Sequence, residues 1–105
     1  MLLVIDRDNN LSIYASVPDA EGDLETIDVE DGEYQFCDEH GQPYIGEIVK
    51  PVGKFSAGEF RIVPHGTSDP TLPLAFVSRS SDYRSKLPGL KTREDALSYF
   101  ALRKT

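Results

Sequence analysis

Apolar and polar positions recur with two different periods along this chain, and the change of period marks its elements. Leu2-Leu3-Val4-Ile5 is a short unbroken apolar run, and Leu11, Ile13, Ala15 and Val17 alternate with Ser12, Tyr14 and Ser16. A period of two predicts a strand with one buried face. The polar stretch 6–10 between the two segments predicts a turn, so the N-terminus reads as a β-hairpin. The period then lengthens. Val17, Ala20, Leu24 and Ile27 recur at steps of three and four, which places them on one stripe of a helix. Ser16 and Asp19 fit a capping pattern, and Pro18 falls in a first turn, where its missing N–H had no partner. Asp19 and Glu21 suit the positive end of a helix. These features predict a short helix over 18–27, with Gly22 weakening it by about 1 kcal/mol relative to Ala.

Asp31-Gly32 is a turn signal. Residues 33–38 and 44–50 are rich in aromatic and β-branched side chains and flank a loop containing Gly41 and Pro43, which predicts a second hairpin. Residues 59–63 form a further strand bounded by Gly58 and Pro64, and 64–70 a loop. Over 71–80, Pro70 before Leu72 and Phe76 at helical spacing predicts a short helix, against the awkward Pro73. Residues 79–89 read as a polar connection. Thr92 and Asp95 form a second capping pair, Leu97, Phe100 and Ala101 share a face, and Arg103 and Lys104 follow in the last turn, so a helix is expected over 93–103. The expectation is one α+β domain over 1–105: a mainly antiparallel sheet of about five strands, two or three helices packed on one face of it, and a C-terminal helix.

Charge changes this picture. The 105 residues carry a net charge of −7, unevenly placed. Residues 1–49 hold thirteen Asp or Glu and one base, Arg7, whereas residues 50–105 hold five acids and ten bases. Either the halves face each other and neutralise, or an acidic face steers a basic partner toward it; a third reading leaves the charges to solubility alone. Nucleic acid is disfavoured as a partner by repulsion, and the basic stretch from Arg79 to Lys104 is too dilute to argue for it. The single cysteine, Cys37, fits a reducing compartment. The N-terminus has no basic region followed by a long apolar run, so neither a signal peptide nor a membrane span is expected and the chain reads as cytoplasmic.

Candidate chemistry is sparse. Asp6, Asp8 and Asn10 occupy the first three ligand positions of a calcium loop, but Leu11 stands where its glycine should be and Val17 where its glutamate should be, so a hairpin turn is the better reading. Cys37 and His40 have half the spacing of a zinc site, with His65 the only other histidine; four ligands cannot be assembled from nitrogen and sulfur. As a nucleophile Cys37 would be surrounded by anions, which suppress its thiolate. No catalytic residue, metal or cofactor is therefore expected.

The segment 23–43 resembles small bacterial proteins grouped near the immunity proteins of polymorphic toxin systems. In these an acidic helix runs into a turn, strand and turn, here carried by Ile27, Asp28, Val29, Gly32, Glu33, Tyr34, Asp38 and Gly41. The resemblance implies a non-enzymatic α+β protein and carries over no catalytic residue. Two functions are expected to compete. One is an interaction protein that presents Asp19, Glu21, Asp23, Glu25, Glu30 and Asp31 to a basic protein. The other is a small-molecule binder or enzyme with a pocket between sheet and helices, using Tyr34, Tyr44, Arg61 and His65.

Overall fold

The computed structural model describes residues 1–103. Its centre is a six-stranded mixed sheet. The strands are β1 (Leu2–Ile5), β2 (Asn10–Tyr14), β3 (Gln35–Asp38), β4 (Pro43–Lys50), β5 (Glu59–Pro64) and β6 (Asp82–Ser85), in the spatial order β5-β4-β3-β1-β2-β6. All neighbours are antiparallel except β2 and β6, which run parallel. The helices are α1 (Val17–Asp23), α2 (Thr26–Glu30), α3 (Leu72–Arg79) and α4 (Arg93–Arg103), with a 3₁₀ turn at Pro88–Leu90. The α+β class, the two hairpins and the C-terminal helix are those the sequence predicts.

The helices cover both faces of the sheet, where one covered face was expected. The unbroken run of β1 gives the reason: successive side chains point to opposite sides, and all four residues of Leu2–Ile5 are buried. Leu2 and Val4 join Tyr14, Ala20, Val29, Phe36, Phe60 and Ile62 in a core under α1 and α2. Leu3 and Ile5 join Leu11, Ile13, Cys37, Phe76, Val77, Ala96 and Phe100 in a second core under α3 and α4. Tyr14 belongs to the first core at 4% exposure, so β2 is not the strand with a single buried face that its alternation predicts.

Three further expectations are corrected. The helix over 18–27 is two helices, broken where Leu24 turns extended (φ −85°, ψ 152°). Its first half ends on Asp23 with no basic residue in the last turn, so the helix supplies no cation of its own to the negative end of its dipole. After the break the stripe restarts, so Val29 is buried and Ile27 stands 48% exposed. The polar connection 79–89 contains β6, an edge strand held by backbone pairing to β2 from Asn10↔Asp82 to Ile13↔Ser85. In α4 Ala96 and Phe100 are buried and Ala101 exposed, so the buried face centres on Ala96 and Phe100 and leaves Ala101 about 100° around the helix from it. The capping box of α4 is complete: Asp95 donates its N–H to Thr92 Oγ1 (3.1 Å) and Thr92 donates its N–H to Asp95 Oδ2 (3.2 Å). Lys104 lies outside the described residues.

The sheet curls around α1 and α2. Tyr14 on β2 donates its hydroxyl to Asp23 Oδ2 at 2.6 Å, and Ile62 on β5 donates its N–H to Glu21 Oε2 at 2.7 Å. α1 thereby bridges two strands with three others between them. Its Glu21 also occupies an outward-facing N–H of the edge strand β5, which otherwise invites pairing with another chain.

Candidate functional site

The acidic face is built on α1, α2 and their flanks. Eight Asp or Glu lie between positions 19 and 33, with no Lys or Arg among them. Of the six carboxylates expected to face a partner, three are engaged internally. Glu21 holds Ile62 N–H, Asp23 holds the Tyr14 hydroxyl, and Glu30 Oε1 accepts the Val52 N–H at 2.8 Å. Asp19, Glu25 and Asp31 are exposed. The sequence does not separate these two groups, because the partners are backbone and phenol groups on distant segments.

Around the free carboxylates the chain crowds negative charge. A recess of about 290 Å³ is lined by Asp6, Asp23, Glu25 and Asp28 together with Tyr14 and Tyr34, with Arg84 also on its wall. A hydrogen bond from Glu33 to Asp28, burial, and the nearby Asp28 and Asp31 charges hold the Glu33 carboxyl above its ordinary value. Burial and the Asp28 and Glu33 charges push the Tyr34 phenol up to about 12. Arg7 donates to the Asp31 carbonyl at the end of α2, a position where a cation complements the helix dipole.

The opposite layer treats its cations differently. Residues 72–103 carry six Lys or Arg against three acids. Arg79 donates to Gln35 Oε1 and lies 4.9 Å from the centre of the Phe76 ring. Arg93 reaches Ser80 Oγ (3.2 Å) and the Ser78 carbonyl (2.7 Å). Neither meets a carboxylate. Among the described residues the ion pairs are Met1 ammonium–Glu39 and the exposed Arg84–Asp82. Among the described residues no ion pair therefore joins the two halves of the sequence, although Arg84 of the second half reaches the wall of the acidic recess.

The pocket alternative is only partly assembled. Tyr34 and Tyr44 line one cleft of about 440 Å³, with Val29, Phe36, Ile45 and Phe76. Arg61 and His65 are exposed and do not line it. Burial, the Asp38 charge and a hydrogen bond to Asp38 hold the Tyr44 phenol above its ordinary value. Cys37 is fully buried in the second core, and burial together with Asp38 pushes its thiol up to about 12, so it is no nucleophile in the folded chain. His40 sits in the exposed turn after β3. Among the described residues no group of three or more His, Cys, Asp or Glu is arranged to hold a metal ion. The first three positions of the calcium pattern form a turn: Asp6 Oδ1 accepts the N–H groups of Asp8 (2.9 Å) and Asn10 (3.0 Å), and Asn9 adopts φ 63°. No helix among the described residues is long and apolar enough to cross a membrane.

No family model matches the chain, and no match is found among curated proteins or solved structures.

Proposed function

We propose that this chain is a non-enzymatic interaction protein of the cytoplasm whose α1–α2 face docks on a basic protein. One observation carries the reading: the segment 19–33 holds eight carboxylates and no Lys or Arg, and its exposed Asp19, Glu25 and Asp31 have no ion-pair partner among the described residues, whereas Arg79 and Arg93 of the other layer are tied to glutamine, aromatic and serine partners. Charge left uncompensated in this way speeds encounter with an oppositely charged surface. The resemblance of residues 23–43 to proteins near toxin-immunity families suggests a toxin as that partner.

The test uses the exposed carboxylates and spares those that hold the fold. With a partner captured from the native host, affinity is expected to fall about tenfold or more as salt rises from ~50 to ~500 mM. Glu25→Lys with Asp31→Lys should give a comparable loss at low salt. Binding indifferent to both changes would rule the reading out.

A further inference from the structure

The sheet contains a gap. β3 and β4 pair at Phe36↔Tyr44 and Cys37↔Pro43 and nowhere else, whereas β4 continues to Lys50. In this register the next pairs would be Gln35 with Ile45 and then, as the next hydrogen-bonded pair, Tyr34 with Gly46, and neither forms. On its other side β4 stays paired with β5 from Tyr44 to Ile48 and again at Lys50, with a bulge between. Gly46 faces Ile62 there, and Ile62 gives its N–H to Glu21 instead. Gly46↔Ile62 is thus a non-hydrogen-bonded pair. Gly46 turns its own N–H and C=O away from β5, toward the vacant side, and Ile48 shares that direction because the pattern alternates.

The cleft beside this edge opens on both faces of the sheet. Val29, Tyr34, Phe36 and Tyr44 wall it on the α2 side, Ile45, Leu72 and Phe76 on the α3 side. β4 also carries three of the molecule's exposed large apolar side chains: Ile45 (41%), Ile48 (37%) and Val49 (46%). Glu47 lies on the strand, and Asp31 and Glu33 flank Gly32 on the cleft wall.

We propose that this gap is a strand-acceptor site: an extended segment of the partner, with alternating apolar side chains and flanking Lys or Arg, adds to the free edge of β4 beyond Tyr44. A strand fits better than a compact ligand because the free backbone groups recur at alternate residues and the walls lie both above and below the sheet plane. The flanking cations follow from Glu47, Asp31 and Glu33. This inference rests on the acidic-face reading for the charge of the partner, and not for the backbone pairing.

The probe is a blocked synthetic peptide of alternating Val and Thr with Lys at both ends, followed by amide hydrogen exchange. In the free chain, the Gly46 and Ile48 amides should exchange at least about 100-fold faster than those of Ile45 and Glu47, which bond to β5. Peptide should slow the first pair selectively, and a peptide N-methylated on the pairing edge should not. Ile45→Lys with Ile48→Lys, both at exposed positions, should abolish the effect. Equal protection of all four amides in the free chain, no protection at millimolar peptide, or association of the chain with itself at β4 would each overturn the proposal. A basic protein that binds in a salt-dependent way and leaves Gly46 and Ile48 unchanged also overturns it, while leaving the acidic-face reading intact. Protection by a lysine-free peptide, unaffected by salt, supports strand addition and removes the acidic face from it.

Discussion

The two helical layers on either side of the sheet solve the same packing problem with opposite electrostatics. Beneath α3 and α4, Phe76, Val77, Ala96 and Phe100 close the core, and the nearby Arg79 and Arg93 bind neutral groups, Arg79 tying α3 to β3 and Arg93 tying α4 to the end of α3. Beneath α1 and α2 the core is of similar size, but the carboxylates above it outnumber their internal partners. The first layer uses its charges for cohesion. The second uses some for cohesion and leaves the remainder to solvent and to whatever docks there. A change on the α3–α4 side should therefore be felt as stability, and a change of exposed charge on the α1–α2 side as recognition.

The sharpest way to break that contrast is Phe76→Ala. It removes a fully buried ring and the surface beneath Arg79, and should cost about 3–5 kcal/mol in a denaturant titration. A loss below ~1 kcal/mol would mean that the α3–α4 core is loosely packed. Exchanging charge on each layer comes next. Glu25→Lys with Asp31→Lys should weaken partner binding about tenfold or more while changing stability by less than ~0.5 kcal/mol. Lys91→Glu, exposed at the start of the α4 side, should leave affinity within about twofold. An equal effect from this change would erase the distinction between the faces.

Smaller effects sharpen the acidic side. Tyr14→Phe removes the hydroxyl that ties α1 to β2 and should cost about 1 kcal/mol, read by the same titration. The last prediction concerns pH. Burial raises the Asp6 carboxyl, but the N–H groups of Asn10 and Asp8 and the Asn10 amide outweigh it and hold Asp6 below its ordinary 3.8. Its contribution to stability is thus fully present above that ordinary value and is lost as pH falls through the lower folded value. Asp6→Asn should remove this part of the acid sensitivity. Glu33 works in the opposite sense. Its carboxyl is raised by the hydrogen bond to Asp28, so its contribution is fully present below the ordinary Glu value and is lost as pH rises through the folded one. A bound cation at Glu33 should therefore displace a proton at pH values where the raised carboxyl still holds one, seen in calorimetry as a buffer-dependent heat.

The sequence discloses those parts of the fold whose signals are local. Period-two runs and turn residues reveal both hairpins, Thr92 and Asp95 reveal the start of α4, and the unbroken apolar run of β1 carries the sign of a strand buried on both sides. β6 has no comparable signal: Asp82, Arg84 and Ser85 are polar, and the strand exists because β2 offers it a backbone edge. The break after Asp23 escapes for a related reason. The stripe Val17, Ala20, Leu24 and Ile27 is continuous in spacing, while the chain satisfies Leu24 in an extended conformation and Val29 in a new register. At the candidate site, the identity of the acids was legible and their roles were not. Whether Glu21 or Glu25 is free depends on an N–H of β5, and the cleft between β3 and β4 depends on a pairing that stops after two positions. Arg61 and His65 match Tyr34 and Tyr44 by residue type, but Arg61 lies on β5, which β4 separates from the cleft, and His65 lies in the loop that follows.

Synthesis from the N-terminus clothes the two sides of β1 at different times. Once Pro64 has left the ribosome, five strands and both helices over Leu2 and Val4 exist, whereas Leu3, Ile5, Leu11, Ile13 and Cys37 still lack the segments that cover them, which begin at Leu72. For that interval the nascent protein is a half-dressed sheet with an adhesive underside. A translational pause between those two points would prolong its exposure to chaperones and to neighbouring chains.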